Sequence, residues 1–143
     1  MIDLNYSIRV AYYSALSGIT GVPVYYQSVP NDVSPQNYIV FRSITNNEAS
    51  TKNSSDTNTT VTVEIHTFQD VNNPGLNNDT IARDVYNRIY ANGQFNLTID
   101  GGQIVHTMLS SDDTQDFVMN GGRAYISRFI TFNHKIFQTA DIS

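Results

Sequence analysis

Apolar positions recur along this chain with two different periods. Leu4, Ile8, Tyr12 and Leu16 follow one another at i+4 steps, with Ala11 and Ala15 beside them. That spacing puts one apolar stripe on a helix of about four turns, with Asp3 as its expected N-cap and Gly18 and Gly21 as its stops. A second stripe, Ile81, Val85 and Ile89, predicts another helix, capped by Asn78 or Asp79 and ended by Asn92-Gly93. Elsewhere the period is two. Residues 22–28 carry Val24 and Tyr26, with Pro23 marking a strand entry or edge. Residues 38–44 are rich in β-branched and aromatic side chains. In 61–68, Val61, Val63 and Ile65 face one way and Thr62, Glu64 and His66 the other, so this strand and 38–44 are expected to form a long hairpin.

Phe95, Leu97 and Ile99 alternate as a further short strand, and Asp100-Gly101-Gly102 reads as a tight turn leading back into its hairpin partner, 103–109. Residues 123–133 are apolar on both faces, which predicts a central strand. Two stretches, 45–60 and 110–122, read as loops. The resulting order is α-β-β-β-α-β-β-β. It predicts an α+β fold with a mostly antiparallel sheet and two helices packed on one face. The 143 residues are expected to make a single domain (1–143), with 45–60 as a long hairpin loop and 137–143 as a tail.

Charge narrows the function. Eight Lys+Arg against 13 Asp+Glu give a formal net charge of -5. That balance argues against nonspecific nucleic-acid binding, which depends on basic groups displacing counterions, and against docking on anionic membranes. No stretch approaches the ~20 apolar residues of a membrane span, and the start lacks the basic-then-apolar run of a signal peptide. Uncharged polar residues dominate instead, with 16 Asn, 14 Thr and 13 Ser. Such a surface loses little to salt screening.

Candidate chemistry is sparse. The chain has no cysteine, which excludes disulfides, thiolate metal sites and a cysteine nucleophile. It contains no Gly-x-Ser-x-Gly elbow, no phosphate-binding loop and no His-Glu-x-x-His. His66, His106 and His134 stand at no ligand spacing to one another and read as solvent-facing or core-edge residues. Asp112, Asp113 and Asp116 share one predicted loop, but the spacing is not that of the twelve-residue calcium loop, so solvated charge is the expected role. No catalytic residue, cofactor or metal is assigned.

Features suggesting association are clearer. Loops beyond roughly 12–15 residues are uncommon in compact domains, and ordering a backbone costs roughly 1–2 kcal/mol per residue. The 45–60 stretch has almost no apolar side chain to offset that cost. It is expected to be mobile in an isolated copy, either remaining a floppy hairpin tip or becoming ordered by pairing with a neighbour. Asn46, Asn47, Glu48, Lys52 and Asp56 are its candidate interface residues. Phe117, Val118 and Met119 interrupt the polar 110–122 stretch; they either tuck under their own domain or form a partner patch. Tyr6, Tyr13, Tyr25 and Tyr90 fall off the strict core stripes, and tyrosine is favoured where a surface must be both apolar and hydrogen-bonded.

On these residues the chain resembles the tail terminator, or tail-completion, proteins of long-tailed bacteriophages. The likeness begins with the opening helix Ile8-Arg9-Val10-Ala11-Tyr12-Tyr13-Ser14-Ala15-Leu16-Ser17, followed by Val22-Pro23-Val24-Tyr25, Val29-Pro30 and Tyr38-Ile39-Val40-Phe41. It continues through the strand 61–68, the helix Asp84-Val85-Tyr86-Asn87-Arg88-Ile89 and the closing strand Gly122-Arg123-Ala124-Tyr125-Ile126-Ser127-Arg128-Phe129. The chain departs from the family pattern in its Asn/Ser/Thr-rich hairpin loop and its extended tail. The resemblance implies a structural virion protein, made in the host cytoplasm. Such a protein forms a ring, with six copies in the family, that ends the tail tube and docks the head connector or stopper. It implies as partners the chain itself, the tail tube protein and the connector, with DNA passing through the lumen without sequence-specific contact and no membrane. An acidic wall that repels phosphate would let DNA slide.

Three other readings are carried beside it. One is another neck protein, a head–tail connector or stopper. A second is a small metal-dependent hydrolase using His66, His106 and the acidic stretch. The third is a binding module that presents 45–60 to a ligand.

Overall fold

The computed structural model describes residues 4–18, 22–29, 37–48, 56–70, 78–90, 99, 102–119 and 123–138. Its elements are α1 (Asn5–Leu16), β1 (Val24–Tyr26), β2 (Tyr38–Glu48), β3 (Asp56–Asp70), α2 (Asn78–Ile89), β4 (Gly102–Met119) and β5 (Arg123–Gln138). The strands form one five-stranded sheet in the order β1-β2-β3-β5-β4. β1 runs parallel to β2, and every other pairing is antiparallel. The expected α+β class and the largely antiparallel sheet are what the structure has.

Both helices lie on one face. On β5, Phe132 meets the ring of Tyr86 from α2, and His134 meets the ring of Tyr12 from α1. Residues 132 and 134 share a face because side chains alternate along a strand. The predicted stripes supply the core: Ile8, Tyr12 and Leu16 from α1 and Ile81, Val85 and Ile89 from α2 close over Val61, Val63 and Ile65, with Ile130, Phe132 and Ile136 beside them. At ~1.5–3 kcal/mol for each fully buried large apolar side chain, this layer is the main source of stability.

The helix ends are satisfied locally. Asp3 lies outside the described residues. Leu4 holds the N-cap position of α1, makes no side-chain cap and is buried instead. At the other end the Ser17 N–H and hydroxyl both donate to the Tyr13 carbonyl, and Gly18 takes φ +91°. Arg88 of α2 donates from Nη1 to the carbonyls of Ala15 and Ser17, both at 2.9 Å, satisfying acceptors that a helix C-terminus leaves open. Asn78 is the first residue of α2. Its side-chain amide donates to the carbonyls of Ile65 (3.0 Å) and Ile126 (3.2 Å), tying the helix start to β3 and β5.

Several expectations need correction. The 45–60 stretch is mostly strand: β2 runs on to Glu48 and β3 begins at Asp56, pairing Thr45 with Thr60 and Glu48 with Thr57. The other side of 56–60 pairs with 133–137 of β5. A polar sequence is ordered here by its own ladder, with Thr57 and Thr59 buried on the helix-side face. The 110–122 stretch is likewise strand through Met119, paired with β5 from Ser111↔Thr131 to Met119↔Arg123. Residues 103–109 pair with β5. Ile99 is not in a strand, and Phe95 and Leu97 lie outside the described residues. The first strand is shorter than 22–28, and the last, central as expected, extends through Phe137 and Gln138 of the predicted tail.

Candidate interaction surfaces

The face of the sheet opposite the helices carries a buried polar and aromatic cluster. It follows from the alternation in β3 that sends Glu64 and His66 away from Val63 and Ile65. His66 Nε2 donates to Glu64 Oε1 at 3.0 Å, and the Ser127 and Tyr125 hydroxyls lie 2.9 and 2.8 Å from His66 Nδ1. Glu64 also receives Arg42, whose Nη2 is 3.0 Å from Oε1 and whose Nε is 2.6 Å from Oε2. The rings of Tyr38, Tyr125 and Phe129 stand around the imidazole at 4.9, 5.9 and 6.2 Å. Burial, with the adjacent Tyr125 hydroxyl, pushes the Tyr38 phenol up to about 12. Serine, histidine and glutamate are the residue types of a nucleophile triad, but Tyr125 shares Nδ1 with Ser127 and the Ser127 side chain is buried. The arrangement cross-links β2, β3 and β5.

The histidines and acids weighed for metal chemistry do not converge. His106 is exposed and pairs in register with Lys135, whereas His66 pairs with Ser127, eight residues away along β5 and so about 26 Å off. Asp112 and Asp113 project to opposite faces of β4. Asp112 is the helix-side one: its carboxylate takes Arg128 Nε (2.8 Å) and Nη2 (2.7 Å) and the Tyr86 hydroxyl (2.5 Å). Arg128 holds the Asp112 carboxyl below the usual carboxylate range. Among the described residues no group of three or more His, Asp or Glu could hold a metal ion. No helix among them is long and apolar enough to cross a membrane.

The candidate interface residues are distributed along the two long hairpins. Asn46 and Asn47 are exposed on β2. The Asn46 amide donates to Asn5 Oδ1 of α1, and its carbonyl accepts from the Thr59 hydroxyl at 2.6 Å. Glu48 is the last residue of β2. Asp56 opens β3 and lies 3.9 Å from Lys135 Nζ. Lys52 lies outside the described residues. Phe117, Val118 and Met119 are the end of β4, in register with Tyr125, Ala124 and Arg123. The structure does not bring this trio together with the Asn46–Asp56 group: in β5 their partners stand at opposite ends of the strand.

The sequence reading missed a groove between α1 and β1. It has a volume of about 530 Å³ and is lined by Arg9, Val10, Tyr13, Tyr25, Tyr26 and Phe41. Tyr13 is 53% exposed and Val10 45%. The Arg9 guanidinium lies 5.3 Å from the Tyr6 ring centre and 5.0 Å from that of Tyr26. Tyr13 and Tyr25 had already stood out as off-stripe tyrosines; Arg9 carried no such signal.

The chain is thus an α+β protein with two helices on one face of a sheet and a buried polar cluster on the other. No protein-family model and no curated protein matches the chain. Among solved structures, it is similar to a chain of the virion of a native gene transfer agent particle, with a TM-score of 0.67 at 14% sequence identity. The match covers 96% of this chain and 99% of that one. At this identity the likeness shows a shared fold.

Proposed function

We propose that this chain is a structural virion protein that closes into a ring at the head-proximal end of a phage-like tail tube and joins the tube to the head. The observation carrying this reading is the end-to-end fold match to a virion component. The residue-level resemblance to tail terminators, described above, supports the finer placement. Copies of the chain are its own partners in the ring, the copy number of six being the family's, and the tube and connector proteins are the partners at its two faces. Its role is architectural, not catalytic, and the Glu64–His66–Ser127 group stabilises the sheet. Imaging of the purified protein, alone and mixed with tail tubes, tests this: rings at tube ends are expected. A protein that stays monomeric with tubes and connector present would falsify the reading. Labelled protein located elsewhere in the neck would assign it to a connector or stopper instead.

A further inference from the structure

We infer that the groove between α1 and β1 of one copy receives the exposed surface of β4 from a second copy, by a head-to-tail contact that pairs Arg9 with Asp113. This rests on the proposed ring, and names the surfaces that would build it. β1 and β4 are the two ends of the strand order, so the groove and the β4 surface lie at opposite edges of one sheet. A contact between them leaves one copy with a free β4 and the other with a free groove, so further copies can add, the requirement for a ring rather than a closed dimer.

The two surfaces are complementary in character. On β4, an 18-residue edge strand, Met108 is 52% exposed and stands opposite Asn133 on the face away from the helices, the face that Asp113 shares opposite Phe129. A long unpaired edge strand is a liability that proteins cover or blunt. The groove offers tyrosine walls and a Phe41 floor to the Met108 side chain. Charge gives the direction. Arg42, Arg128 and Lys135 each meet a carboxylate, and Arg88 caps α1. Among the described residues Arg9 meets the Tyr6 and Tyr26 rings and no ion pair to it is found. Asp113 is exposed, on the same face as Met108 and about 13 Å from it by their β5 partners Phe129 and Asn133, and has no ion pair among the described residues either. A groove-to-groove dimer would bring two Arg9 cations together, and a β4-to-β4 dimer two Asp113 anions. Like charges facing one another disfavour both symmetric alternatives.

Charge reversal in the full chain, read by sedimentation over a concentration series, tests the pairing. Arg9→Glu and Asp113→Arg are each expected to weaken self-association by about tenfold or more, and the double variant to recover most of it. Mixing the two single variants is the sharper measurement. Each supplies the surface the other lacks, so alternating rings should form from two proteins that do not assemble alone. Circular dichroism melting checks that each variant is folded; Arg9→Gln and Asp113→Asn replace any that is not, with the same direction of effect expected. Single variants that assemble like the parent, or a mixture that recovers nothing, overturn the contact while leaving the ring reading standing. A parent that fails to self-associate with tail tubes present removes the ring reading itself.

Discussion

The Tyr12 hydroxyl of α1 is hydrogen-bonded to Nε2 of His134 in the middle of β5, and the Thr107 hydroxyl of β4 lies 2.8 Å from Nδ1 of the same ring. All three side chains are buried. One imidazole thus joins the first helix to the two last strands, 122 residues apart in sequence from Tyr12. A neutral ring, with one nitrogen donating and the other accepting, matches two hydroxyl partners. Burial pulls His134 down to about 4 and raises the Tyr12 phenol well above its usual value.

Stability should therefore fall with acid over a defined window. His134 binds a proton below about 4 when folded and near 6.5 when unfolded. Between those values the unfolded state holds more protons, so stability rises with pH. It is fully present above about 6.5 and is lost progressively as pH falls toward 4, by on the order of 3 kcal/mol. The Asp112 carboxyl, held below its usual range, adds a loss of the same sign at lower pH. Urea unfolding at pH 7 and pH 4.5 should show the difference, and His134→Gln should flatten it. An unchanged pH profile in that variant would assign the acid sensitivity to other groups.

Asp112→Ala should cost about 1–3 kcal/mol in urea unfolding, because it strips Arg128 and Tyr86 of a shared, partly buried acceptor. Burial first, and the Asp112 hydrogen bond second, push Tyr86 up to about 12. Ultraviolet titration of the variant should show one tyrosine ionising at lower pH than in the parent.

What the sequence made legible depended on apolar periodicity. The stripes at Ile8, Tyr12 and Leu16 and at Ile81, Val85 and Ile89, and the alternation from Val61 to Ile65, all mark faces that the core buries. Strands without apolar marks were invisible as strands. Residues 56–60 alternate by burying Thr57 and Thr59, and β4 beyond Leu109 is an edge whose Asp113, Thr114 and Gln115 are exposed. In both places the backbone ladder, not side-chain hydrophobicity, decides the structure. The groove was hidden for a different reason. Arg9 and Tyr25 come from separate elements, and only the β1–β2 pairing sets them beside one another.

Glu64→Ala should destabilise the protein by about 2–4 kcal/mol, since it leaves Arg42 and the buried imidazole of His66 without their carboxylate. Ser127→Ala removes one of two hydroxyls at His66 Nδ1 and should cost less than about 1.5 kcal/mol. Chemical denaturation of both variants gives the comparison. A Ser127→Ala protein as unstable as Glu64→Ala would mean that Tyr125 does not share the nitrogen as the geometry indicates.

Gly102 is the last case, and its reason is space. At the start of β4 a Cβ on this residue would sit 2.9 Å from Ile136 Cγ2, 3.1 Å from the Phe137 carbonyl oxygen and 3.3 Å from Ile99 Cδ1. The first of these is closer than real Cβ atoms come, and the second is backbone that cannot rotate away. A turn glycine chosen for backbone freedom tolerates replacement only where φ allows it, whereas Gly102 is a strand residue in register with Gln138. Gly102→Ala is therefore expected to cost about 1–3 kcal/mol by overpacking, and Gly102→Val more. Trimming the obstacle should recover part of the loss: Ile136→Ala, which removes Cγ2, combined with Gly102→Ala should be less destabilising than the sum of the two single changes, because it takes away the atom that the new methyl meets. Thermal melts of the four proteins in that cycle give the coupling directly, and strict additivity would place the strain elsewhere.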